Sequence, residues 1–166
     1  MKKMNVDKYI WLLIISATAV IATALASEIF GGLVPCALCL QQRWPYYIAI
    51  PILIVCGLAR GSAPASSAPL LALVGLIFLV GAGLAAYHAG VEYKWWAGPS
   101  GCGGSTSLAD NTRALLQALQ NEKVVRCDEA AFTLFGLSMA GYNFLASLAL
   151  AALSGLGYLA ARNNGN

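Results

Sequence analysis

Residues 9–26 read YIWLLIISATAVIATALA, a run without a charged side chain. At 1.5 Å per residue, a helix of this length crosses most of a hydrocarbon core about 30 Å thick. Similar runs follow at residues 44–59, 68–89 and 132–161, and none contains an interior Asp, Glu, Lys or Arg. These runs do not alternate as barrel strands do. The sequence therefore predicts an all-α membrane protein, a single domain in which four transmembrane helices form a bundle.

The composition also indicates a membrane protein. Hydrophobic residues make up 59% of the 166 positions and charged residues only 10%, against about 45–50% and about 25% in soluble proteins. So few charges cannot cover a soluble surface, so lipid must solvate much of the chain. The net charge of +3 is small and dispersed, which gives no indication of nucleic-acid binding.

The basic residues predict the orientation. Five of them fall on each side of such a bundle, but four of the outer five lie in the long segment 90–131, where the positive-inside rule is weak. The lysines before the first helix therefore determine the predicted orientation, and both termini are expected in the cytoplasm. Loops 27–43 and 90–131 then face the periplasm of a bacterium. Residues 24–26 are similar to a signal-peptidase site, but the apolar run is longer than a signal core of about 7–15 residues, which favours a retained helix.

The cysteines form two pairs on the predicted outer side. Cys36 and Cys39 make a Cys-x-x-C motif before the second helix, and Cys102 and Cys127 lie in the second outer loop. Disulfides persist on that side of the membrane. Cys56 lies within the second apolar run, where a small buried hydrophobe is the expected role.

Several kinds of site use such cysteines. Zinc would need a second Cys-x-x-C or a Cys/His knuckle, and a thioredoxin site would need a βαβ context. Structural disulfides would explain Cys102 and Cys127, but a bond between Cys36 and Cys39 closes too short a loop to stabilise much. Short Cys-x-x-C pairs are more often redox-active. The pattern favours a membrane redox centre with no metal, and a structural role remains the alternative.

Two polar residues lie near the Cys-x-x-C in this prediction. Arg43 follows Cys39 by one helical turn, where a guanidinium would favour the Cys39 thiolate or donate to a carbonyl oxygen of a ligand. The alternative for Arg43 is an interfacial arginine. His88, at the outer end of the third helix, reaches the same depth. Residues 107–119 carry a capping motif and a leucine stripe, which predict a short amphipathic helix on the membrane surface.

The strings PCALCLQQR and RCDEAAFTLFGLSMAGYN, with four apolar helices and two cysteine pairs, resemble the DsbB family of disulfide-bond-forming membrane oxidoreductases. The resemblance covers nearly the whole chain. It implies an inner-membrane enzyme that reoxidises a periplasmic thioredoxin-fold oxidase of the DsbA type and passes the electrons to a quinone.

The resemblance also implies roles for single residues. Cys39 would react with the quinone, ubiquinone or menaquinone, with Arg43 and His88 beside the quinone head. Cys102 would form the mixed disulfide with the partner, and Cys127 would be its pairing cysteine. A vitamin K epoxide reductase-like enzyme would carry its Cys-x-x-C late in the chain, and a non-catalytic tetraspan protein with structural disulfides is the other alternative.

Overall fold

The structure is a computed structural model that describes residues 5–59, 67–99 and 126–164. Within these ranges the chain forms five helices and one small hairpin. The helices are α1 (Val6–Ile29), α2 (Ala37–Gln41), α3 (Trp44–Ala59), α4 (Ser67–Glu92) and α5 (Met139–Asn164). The hairpin strands are β1 (Thr133–Leu134) and β2 (Leu137–Ser138). Cys102, Arg60 and the predicted surface helix at 107–119 lie outside the described residues.

Three of these helices, α1, α4 and α5, are long and apolar enough to cross a membrane. α3 has the predicted bounds and contains Pro51, but its 16 residues span only about 24 Å at 1.5 Å per residue. The chain is therefore a multi-pass helical membrane protein. A complete fourth span, and the side on which each terminus lies, stay predictions.

Small residues let the helices approach closely. A side chain at Gly81 of α4 would come within 3.1 Å of Pro45 of α3. Farther along α4, the Ser154 hydroxyl of α5 donates to the Leu71 carbonyl at 2.7 Å. Association in lipid has little hydrophobic driving force, so close packing of small residues and such hydrogen bonds hold the helices together.

One apolar core runs through the bundle, and it includes Leu13, Tyr46, Leu53 and Phe78, each at most 2% exposed. Many other large apolar side chains are exposed on the helices. That distribution is expected where lipid is the surrounding solvent. The C-terminal ends of α1 and α4 and the N-terminal ends of α3 and α5 meet beside the loop that carries the Cys-x-x-C motif.

The prediction of a helix from residue 132 is wrong at its start. The segment first forms the β1–β2 hairpin, whose two turn residues have positive φ, 50° at Phe135 and 79° at Gly136. This backbone cannot continue a right-handed helix. Ser138 then accepts a hydrogen bond from the Gly141 N–H at 3.1 Å and so caps α5, which begins at Met139.

Candidate active site

The two thiols of the Cys-x-x-C motif meet at the start of α2. Cys36 is the N-cap residue, and its sulfur accepts a hydrogen bond from the Cys39 backbone N–H at 3.2 Å. The two Sγ atoms are 2.6 Å apart, and both cysteines are free thiols in this structure. One helical turn thus holds the pair where a disulfide can close with little movement.

The surroundings make the two thiols unequal. Hydrogen bonds from the Cys39 thiol and from His88 lower the pKa of Cys36 to about 4, against an opposing effect of burial. The pKa of Cys39 is raised, first by its hydrogen bond to Cys36 and then by burial. Because a thiolate is the reactive form, the reduced pair carries its charge on Cys36.

His88 reaches this pair from α4. Its Nε2 atom lies 3.6 Å from Cys36 Sγ, and the side chain is almost fully buried. The other ring nitrogen, Nδ1, faces the Gln42 amide nitrogen at 2.5 Å. With Nδ1 as acceptor, the neutral ring carries its proton on Nε2, which faces the sulfur.

A chain of polar side chains continues from His88 into the bundle. Asn143 of α5 donates to the Gln42 side-chain oxygen at 2.6 Å, and Tyr46 donates to Asn143 at 2.6 Å. Ser147 lies 3.1 Å from the Tyr46 hydroxyl. Sequence reasoning missed Gln42 and Asn143. The available signal was an Asn inside an apolar run, since polar residues within spanning helices are commonly functional.

Arg43 is not bonded to Cys39. Its guanidinium pairs with Glu28 at the end of α1, at 2.8 Å, and only 13% of the arginine side chain is exposed. The expectation that Arg43 favours the Cys39 thiolate is therefore wrong for this state of the protein, because the pKa of Cys39 is raised. Arg43 still lines the same cavity as the thiols, and Glu28, missed in the sequence, orients it.

Cys127 lies against the Cys-x-x-C pair. It is disulfide-bonded, fully buried, and packed in one small cluster with Cys36. Its neighbour Asp128 accepts from Lys94 at 2.8 Å and from Arg126 at 2.8 Å, and these cations hold the pKa of Asp128 well below its usual range. Cys102 lies outside the described residues, so its pairing with Cys127 stays a prediction.

A cavity joins these groups at this end of the bundle, with an empty volume of about 810 Å³ that includes open space. Val20, Ile21 and Ala24 of α1 form an apolar wall, and both thiols line the cavity. Glu92, another residue that sequence reasoning missed, also lines it. Its side chain is 7% exposed, and within the described residues its Oε2 atom has no hydrogen-bond partner.

The donor set fits a quinone better than a metal ion. Cys36, Cys39 and His88 offer three ligand atoms within 4.8 Å of one another, but two thiolates on tetrahedral zinc would stand about 3.8 Å apart, given a Zn–S bond of about 2.3 Å. The observed 2.6 Å suits a dithiol that closes to a disulfide. For a quinone, the cavity combines an apolar wall with the polar groups of Arg43 and Glu92 beside the thiols.

The family model described as disulfide bond formation protein DsbB matches residues 7–157. No curated protein and no solved structure matches the chain.

Proposed function

Since the chain belongs to the DsbB family, we propose that it reoxidises a periplasmic DsbA-type protein and passes the electrons through two cysteine pairs to a membrane quinone. The coarser statement, a thiol oxidoreductase of the membrane that forms disulfide bonds, rests on the family match. One observation carries the finer proposal. Disulfide-bonded Cys127 is buried against Cys36, at a cavity that both motif thiols line.

The first half of the cycle is thiol–disulfide exchange. A thiolate of the reduced partner attacks the Cys102–Cys127 disulfide at Cys102, and the second partner thiol resolves the mixed disulfide. The partner leaves oxidised, and both loop cysteines are reduced. This step needs Cys102 to be reachable from the periplasm, so the cysteines face that side of a bacterial inner membrane in this proposal.

The second half transfers the electrons between the pairs. The Cys127 thiolate attacks Cys36 of the Cys36–Cys39 disulfide, forming a Cys36–Cys127 bond and releasing the Cys39 thiolate. Cys102 then attacks Cys127, which restores the loop disulfide and leaves Cys36 and Cys39 reduced. Cys127 and Cys36 belong to the same small buried cluster, which supports Cys36 as the sulfur attacked.

The reduced motif pair finally loses two electrons and the Cys39 proton and closes its disulfide. A bound quinone supplies the two-electron acceptor for this step. The apolar wall of α1 suits its isoprenoid chain, and Arg43 is expected to donate to a carbonyl oxygen of its head. A DsbA-type partner has a potential of about −120 mV, so the acceptor must have a higher one.

Reoxidation of a reduced DsbA-type protein by purified enzyme with added quinone tests the proposal. Cys36→Ser and Cys102→Ser should each abolish turnover, whereas Cys56→Ser, at a cysteine remote from the cavity, should leave it unchanged. A Cys127→Ser variant should accumulate a mixed disulfide through Cys102, which mass spectrometry identifies. Turnover that survives Cys36→Ser and Cys102→Ser would refute the enzymatic proposal.

A further inference from the structure

Glu92 is a buried carboxyl group that the exchange steps do not use. It ends α4, one turn after His88, and its Oε1 atom lies 3.8 Å from His88 Nε2. The Ser138 hydroxyl at the start of α5 also interacts with the carboxylate. The Oε2 atom, in contrast, has no partner within the described residues. Buried polar atoms are rarely left unpaired, and an exception calls for a ligand, a water or a proton.

The position of Glu92 relates it to the thiol chemistry. His88 Nε2 stands between two groups, 3.6 Å from Cys36 Sγ on one side and 3.8 Å from the Glu92 carboxylate on the other. Its other nitrogen is held by Gln42. The side-chain acceptors near Nε2 are thus the sulfur and the carboxylate, and the ring also hydrogen-bonds the Cys127 backbone. Glu92 also lines the cavity, so its unpaired oxygen is available to a molecule bound there.

The oxidation of a dithiol releases protons that must be moved. With Cys36 ionised, a thiolate and a thiol become one disulfide, two electrons and one proton, whereas a quinone takes up two electrons and two protons to become a quinol. We propose that Glu92 is the carboxyl group that accepts the Cys39 proton, which passes through Cys36 Sγ and His88 Nε2, and delivers it to an oxygen of the quinone. This inference rests on the proposed quinone-coupled function and adds a proton route to it.

The proton balance closes over one turnover. Glu92 starts as a carboxylate, gains the Cys39 proton and returns to a carboxylate when the proton leaves. The second proton that the quinone takes up enters from solvent through the outer mouth of the cavity. The charged or titratable groups that share the cavity with Glu92 are Glu129, Arg126, Arg43, Tyr46, His88, Cys36 and Cys39.

Glu92→Gln keeps the size of the side chain and removes its ability to carry a proton. In single-turnover mixing of the reduced enzyme with a soluble quinone, we expect a loss of about 100-fold or more in rate, since general acid–base groups contribute about 10²–10⁴-fold. Glu92→Asp should restore part of the rate. The matched control is Asp7→Asn, which changes a carboxyl group at the N-terminal end of α1, away from the cavity. This variant should leave the rate unchanged.

Two readouts on the resting protein separate a proton carrier from a packing role. Solvent extraction and chromatography should find the wild-type ratio of bound quinone in Glu92→Gln, because the glutamine still fills the site. Site-resolved alkylation of reduced, quinone-free protein should show Cys39 ionising at a lower pH than in the wild type, since the carboxylate whose charge opposes its thiolate is gone. A folded variant with an unchanged rate overturns the inference, as does a rate loss explained by lost quinone. If the wild-type enzyme itself reduces no quinone, the proposed function is refuted. That result is obtained without any variant, so it is distinct from a failure of the Glu92 inference.

Discussion

The asymmetry between the two motif thiols gives the sharpest prediction. With a pKa of about 4 against an ordinary 9.0, Cys36 is a thiolate at every pH well above 4 and loses its charge only as the pH falls through that value. Alkylation of Cys36 should therefore be nearly constant between pH 6 and 8. A free thiol would instead react about tenfold faster for each pH unit over that range.

Removal of His88 should raise the pH midpoint at which the Cys36 thiol ionises. The imidazole contributes a hydrogen bond and, in its protonated form, a charge at 3.6 Å, and an opposite charge at such a distance changes a thiol pKa by about 1–3 units. The hydrogen bond from Cys39 is the largest cause and remains, so the midpoint in His88→Ala should stay below 9.0. At pH 6 the thiolate fraction then falls up to about tenfold, partly offset because a more basic thiolate is a better nucleophile.

The assay is pulse alkylation of the reduced, quinone-free protein from pH 3 to 9, with mass spectrometry of each cysteine peptide. His88→Gln is the matched variant, since it keeps bulk and a hydrogen-bond donor but cannot become a cation. Thermal unfolding of each variant shows whether the bundle is intact. A wild-type midpoint near 9, or a His88→Ala midpoint equal to the wild-type one in a folded protein, would refute the reasoning.

Four further outcomes are expected. In Cys36→Ala, Cys39 should ionise at a lower pH than in the wild type, because its hydrogen bond to Cys36 is the largest cause that raises its pKa. An unchanged ionisation midpoint of Cys39 in the same alkylation assay would contradict this prediction. Gly136→Ala should lower stability by about 1–2 kcal/mol, since φ is 79° there and a side chain is costly in that region, while Phe135→Asn should raise thermal stability. Gly90→Ala would place a side-chain carbon within 2.7 Å of three Trp96 ring atoms, so the indole should leave its hydrogen bond to the Tyr87 carbonyl and shift its fluorescence.

Sequence reasoning succeeded where a local pattern determines the structure. The apolar run at 44–59 became α3 with the same bounds, because uncharged runs of that length have few alternatives in lipid. For the apolar run from residue 132, the predicted helix start was wrong, since a short apolar segment cannot be assigned to helix or strand by hydrophobicity alone. Gly136 and the capping residue Ser138 were the local signals for a turn before α5.

The candidate site was only partly predictable. The two motif cysteines are recognisable from the four-residue Cys-x-x-C pattern alone. The hydrogen-bond partners of Gln42, in contrast, lie 46 and 101 positions away along the chain. Such pairs depend on how α3, α4 and α5 pack, which no local pattern encodes. Arg43 shows the same limit, because helical spacing places it near Cys39 while tertiary packing gives it Glu28.

The unequal thiols also suggest an order for the electron-transfer steps. As long as Cys36 is free, its hydrogen bond and its charge raise the pKa of Cys39, so Cys39 stays protonated. When Cys36 is bonded to Cys127, Cys36 carries no charge and accepts no proton from Cys39, so the pKa of Cys39 must fall. In the proposed cycle the Cys39 thiolate therefore forms in the Cys36–Cys127 intermediate, and it is protonated again once Cys102 has freed Cys36. Because that thiolate lines the cavity, a quinone can meet it before the exchange is complete, whereas a resting dithiol offers the cavity a protonated Cys39.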